Sequence, residues 1–169
     1  MFKNLLLLGS LFILLSACSK EEESKSATLH YYFELSTEDS ETRLVEFDFQ
    51  YMRAHRSDPR EIRSVYLDPG FVQISNQERQ KHYIGASSIE AQFIDAYDIS
   101  LSGFRLIRPN DTLELRLLNS PQDQIPCNIQ PDKGDNLDLY FDLNLDRSLI
   151  LDSAGFNWIR PQFQIRRGF

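Results

Sequence analysis

The chain has 169 residues, enough for one domain and too few for two of ordinary size. Its formal charge of -7 comes from 18 Lys+Arg against 25 Asp+Glu, and a surface of that sign repels nucleic acid and anionic lipid. Two cysteines exclude a disulfide framework, and seven glycines leave little room for a phosphate-cradling loop.

Met1-Phe2-Lys3-Asn4 is a short cationic start, and Leu5 to Leu15 is apolar apart from Gly9 and Ser10. That run is too short to span a bilayer comfortably, and small residues follow it, so residues 1–17 read as an export signal. Leu15-Ser16-Ala17-Cys18 resembles the lipobox of bacterial lipoproteins. The resemblance implies that Cys18 is acylated, with palmitate among its chains, and becomes the first residue of the mature protein. The 152 residues that remain carry 17 Lys+Arg and 25 Asp+Glu, a formal charge of -8. Cys127, between Pro126 and Asn128 with no histidine near in sequence, reads as a small half-buried residue rather than a nucleophile.

Ser19-Lys20-Glu21-Glu22-Glu23 is similar to the acidic tract of surface-exported lipoproteins of the Bacteroidota. That likeness implies an outer-membrane anchor with the domain facing outward. The charges by themselves predict a solvated tether over residues 18–27, able to reach roughly 30 Å when extended.

From residue 28 onward apolar side chains recur at period two, the signature of strands. Leu29, Tyr31, Phe33 and Leu35 alternate with His30, Tyr32 and Glu34; Val45, Phe47, Phe49 and Tyr51 alternate with Glu46, Asp48 and Gln50. Further strands are predicted at Ile62 to Leu67, Phe71 to Ser75, Ala91 to Tyr97, Ile99 to Ile107, Thr112 to Leu118, Asn136 to Leu145 and Trp158 to Arg166. Turn-forming residues separate them at Asp68-Pro69-Gly70, Pro109-Asn110-Asp111, Ser120-Pro121, Pro131-Asp132-Lys133-Gly134 and Ala154-Gly155. Asn76 to His82 is polar all round and reads as a turn or loop. About nine short strands at this spacing indicate an all-β antiparallel sandwich over residues 28–169.

In the Asn136 to Leu145 strand, Leu137, Leu139, Phe141, Leu143 and Leu145 form the core face; Asp138, Tyr140, Asp142 and Asn144 form the other. Pro161 removes a ladder donor, so the last strand belongs at a sheet edge or bulge. Asp142-Leu143-Asn144-Leu145-Asp146-Arg147-Ser148, followed by Trp158-Ile159-Arg160-Pro161-Gln162-Phe163, is similar to the ending of a family of bacterial lipoprotein domains of unknown function. Members show Asp-Phe-Asp-x-x-Lys-Ser and then Leu-Lys-Pro. The resemblance implies a sandwich of the transthyretin or carboxypeptidase-regulatory kind; the strand pattern alone fits an immunoglobulin-like one equally. Asn144 stands where the family has Asp, which argues against a metal on this strand.

Catalytic signatures do not occur: there is no Gly-x-Ser-x-Gly and no His-Glu-x-x-His, and His30, His55 and His82 stand in unrelated contexts. Asp132, Asp135, Asn136 and Asp138 around Gly134 offer oxygen ligands at short spacing, against the simpler reading of a polar turn entering a strand. Tyr140 and Trp158 are the candidates for stacking on a glycan, against the simpler reading of cross-strand packing. The expectation is a lipid-anchored, non-catalytic binding or accessory module with no cofactor, whose partner is an envelope protein or a glycan. The alternatives are a structural subunit of an envelope or adhesive assembly and, more remotely, a hydrolase.

Overall fold

The computed structural model describes residues 26–57, 60–76, 80–90, 92–118, 124–151 and 157–168. The leader, the lipobox with Cys18, and the turns at Ser120-Pro121 and Ala154-Gly155 lie outside the described residues.

Among the described residues the fold is an all-β sandwich. The strands are β1 (Ser26–Ser36), β2 (Leu44–Arg56), β3 (Glu61–Val65), β4 (Gly70–Ser75), β5 (His82–Glu90), β6 (Ile94–Ile107), β7 (Thr112–Glu114), β8 (Arg116–Leu117), β9 (Ile125–Ile129), β10 (Asn136–Asn144), β11 (Leu149–Leu151), β12 (Asn157–Ile159) and β13 (Phe163–Arg167). One helical turn, α1 (Leu145–Ser148), follows β10. One sheet has the order β13-β10-β1-β5; the second runs β3-β2-β6-β7, with β4 also on β2 and β9 also on β6. A short third sheet, β11-β12-β8, stands beside them. Most pairings are antiparallel, but β1 runs parallel to β10 and β8 parallel to β12; the long crossover that β1 and β10 need is supplied by the second sheet, which lies between them in the chain.

The two large sheets meet through aromatic side chains. Phe33 of β1 packs edge-on against Phe47 of β2 at 5.2 Å, and Tyr97 of β6 packs edge-on against Phe141 of β10 at 5.4 Å. Leu29, Tyr31, Phe33, Val45, Phe47, Phe104, Leu139 and Phe141 are all buried in this interface. Edge-to-face pairs of this kind add about 0.5–1.5 kcal/mol beyond the area they bury.

Several elements differ from the reading of the sequence. The strands expected at Ala91 to Tyr97 and Ile99 to Ile107 are one strand, β6, because Asp98 stays in the ladder opposite Arg53. The final strand is two, β12 and β13, with Pro161 in the break; β13 lies at a sheet edge. β1 already includes Ser26 and Ala27, which the charge pattern places in the tether. β5, β9 and β11 have no counterpart among the strands that the sequence pattern predicts. Tyr51 points outward at 47 % exposure, whereas Met52 is buried. The reason is a β-bulge: the β2–β6 register shifts between Phe49 and Tyr51, and an extra residue in one strand reverses which face the next side chains take. A second register shift between Glu46 and Asp48 faces Gly103, whose φ of +62° suits a residue without a Cβ.

Candidate functional site

A cleft of about 310 Å³ opens where the edge strands of the two large sheets part, between β3 and the second half of β5. Its apolar surface comes from Ala54 on β2, Val65 on β3, Ile89 on β5 and Ile94 on β6. Tyr66 and Phe93, at 89 % and 38 % exposure, stand at its mouth. On the β5 side the lining is made by Ser87, Ser88, Ile89 and Glu90.

Charged groups at the cleft are tied to one another. Arg63 on β3 lies 2.8 Å from the Glu61 carboxylate and 3.1 Å from that of Glu90 on β5, and these hydrogen bonds hold its guanidinium above its ordinary pKa. Arg56 donates to the Gln92 side-chain oxygen at 2.7 Å. His55, largely buried, has Nδ1 3.2 Å from the Gln124 side-chain amide and Nε2 3.5 Å from Asp98, which is itself gripped by Arg53. A histidine beside a carboxylate is half of a hydrolytic triad. Here the Asp98 contact is too long for a hydrogen bond, and Nε2 is buried with no hydrogen-bond partner among the described residues.

Beneath the cleft, the Ser87 hydroxyl lies 2.9 Å from that of Tyr31. Burial pushes the Tyr31 phenol up to about 12 and that of Tyr97, beside it, well above its usual value. Cys127 is half-buried, its thiol donates to the Ile94 carbonyl at 3.4 Å, and burial pushes its pKa up to about 12. A thiol held protonated at neutral pH is a poor nucleophile.

The aromatic candidates are divided between sheets. Trp158 is on β12 of the small sheet, with the Arg116 guanidinium 5.7 Å from its ring. Tyr140 is on β10, opposite Tyr32 on β1, which in turn faces Tyr83 on β5. Tyr32 and Tyr140 stack at 5.1 Å and 22°, so their ring faces are turned to each other rather than to solvent. Lys81 sits over the Tyr140 ring at 4.0 Å and donates to its hydroxyl, and Arg166 lies 5.5 Å from the same ring while pairing with Glu34. Tyr140 is therefore 6 % exposed, and the row is a cross-strand ladder with one outward member, Tyr83.

In the turn the Asp135 carboxylate accepts from the Asp132 amide at 2.8 Å, the Asp132 backbone carbonyl accepts from the Asp135 amide at 3.1 Å, and Asp138 accepts from the Tyr140 hydroxyl. Among the described residues no three His, Cys, Asp or Glu side chains are grouped to hold a metal ion. The motif after β10 is a structural knot. Asn144 caps α1 by accepting from the Arg147 amide at 3.0 Å, Asp146 accepts from Thr37 and the Glu38 amide after β1, and Ser148 accepts from the Gln162 amide before β13.

Reading the sequence missed the cleft because Ile89 and Glu90 lie on β5, whose small residues hide its period-two pattern; Ile84 and Ile89 flanking Gly-Ala-Ser-Ser were the available signal. The chain matches no protein-family model, no curated protein and no solved structure.

Proposed function

We propose that this chain is an outer-membrane lipoprotein, anchored through Cys18 and facing outward, that serves as a non-catalytic binding module with the cleft between β3 and β5 as its site. One observation carries the reading: the cleft joins an apolar lining to charged residues that are already paired with each other, the make-up of a surface that holds a ligand rather than one that transforms it. The leader and the lipobox-like Leu15-Ser16-Ala17-Cys18 support the anchor. The C-terminal motif supports kinship with lipoprotein domains.

Two experiments test this. Cys18→Ser should move the protein from the membrane fraction to the soluble one; a variant that stays membrane-bound after a high-salt wash overturns the anchor. A photo-crosslinking residue placed at Phe93 on intact cells should form an adduct that the same residue at Phe71, on β4 and outside the cleft lining, does not. Equal labelling at both positions overturns the cleft as the site. Stoichiometric adducts to an envelope protein from the open edge of β13 would instead favour a structural subunit.

A further inference from the structure

We propose that the cleft takes an acyl chain of a lipid from the membrane that carries the protein, an inference that rests on the lipid-anchored binding module argued above.

Position is the first argument. Ser26 begins β1, pairs with Glu90 and lines the cleft. Seven residues separate it from Cys18, so the anchor lies within about 28 Å of the cleft at full extension. β1 then runs for 11 residues away from that point, about 36 Å, to Ser36 and the neighbouring α1. Of the two ends of the sandwich, the cleft end is the one that an anchor at Cys18 keeps within a tether's length of the bilayer.

The second argument is the chemistry of the lining. Ala54, Val65, Ile89 and Ile94 offer hydrocarbon, and the neighbouring guanidinium of Arg63 is engaged by Glu61 and Glu90. The exposed surface of the lining is mostly apolar, and a hydrocarbon chain covers it without losing hydration of its own. The volume is at the lower end for small-ligand sites, suited to one chain rather than a whole lipid.

The third argument is the rim. Tyr66 at 89 % and Phe93 at 38 % exposure stand at the mouth. Aromatic side chains at the headgroup level are characteristic of surfaces that meet a membrane, where an apolar ring and a polar edge are both satisfied. Arg56 and Arg63 beside Glu61 and Glu90 make the mouth locally neutral, so the acidic charge of the rest of the chain is not concentrated where lipid must approach.

The test uses the mature Cys18→Ser chain, free of its own lipid, titrated with the fluorescent fatty acid cis-parinaric acid. Saturable binding of one probe per chain is expected. Ile89→Trp, at a half-buried lining position on the inward face of β5, should weaken it at least tenfold, as should Ala54→Phe deeper in; Phe71→Trp should leave it unchanged. Absence of saturable binding, or binding indifferent to both cleft variants, overturns the acyl-chain inference. If the Phe93 crosslink on intact cells still captures a protein or a glycan, the cleft remains a binding site and only its occupant is wrong. If that crosslink fails as well, both readings fall.

Discussion

One side chain, Arg63, ties the two large sheets together: from β3 it holds Glu61 of its own strand and, across the cleft mouth, Glu90 of β5. All three side chains are more than a third exposed, so solvent screening limits the bridge to about 1 kcal/mol at most. Arg63→Ala should therefore lower urea stability by less than about 1 kcal/mol while speeding hydrogen exchange of the β5 amides from Ser87 to Glu90. Unchanged exchange would mean that the bridge does not restrain the edge strand.

The bulge after Phe49 makes a prediction by contrast. Phe47→Ala should cost about 3–5 kcal/mol in urea unfolding, because its ring lies between Phe33 and Phe104 in the core. Tyr51→Ala, two strand periods on, should cost about 1 kcal/mol or less, since it loses only a contact with the Arg53 guanidinium on the surface. Equal costs would place Tyr51 in the core and remove the bulge.

Ser148 is wholly buried and joins α1 to the approach to β13. Ser148→Ala leaves the Gln162 amide without its acceptor and should destabilise the domain by about 1–2 kcal/mol. Ser148→Thr, which keeps the hydroxyl, should recover part of that loss if the hydrogen bond is the cause.

Acid stability should depend on His82. Burial holds its pKa below the ordinary 6.5, so the unfolded chain binds a proton in a range where the folded chain does not. Its contribution is full above about pH 6.5 and is lost as pH falls through the lower folded value. Urea midpoints of His82→Gln should fall less than those of the parent between about pH 7 and pH 5; parallel curves would show that the imidazole stays solvated.

Cys127 should be chemically quiet. With its pKa pushed up to about 12, the native Cys18→Ser chain should resist iodoacetamide at about pH 8, and urea should make the same thiol reactive. Rapid alkylation of the folded chain would mean that the thiol is open to solvent.

Legibility in the sequence followed local physics. Strands whose faces differ sharply in polarity could be read directly: Leu137 to Leu145 alternates cleanly, and four of its five apolar residues are fully buried. β9 was hidden by Pro126, which argues against a central strand and is tolerated here because β9 pairs only with β6. Tyr140 reads as an outward aromatic, as its register requires, yet it is covered by Lys81 and Arg166, residues 59 and 26 positions away.

Alternation of polarity along the chain is a property of neighbouring residues, and it specifies the all-β class, the core face of most strands and the edge character of the segment after Pro161. The parallel pairing of β1 with β10, the bulge that turns Tyr51 outward and the cleft between β3 and β5 arise at the level of tertiary packing. Each depends on how far-separated segments meet, and the free energy of such meetings resides in packed pairs such as Phe33 with Phe47 and in ion pairs such as Arg63 with Glu90. No single stretch of chain contains them.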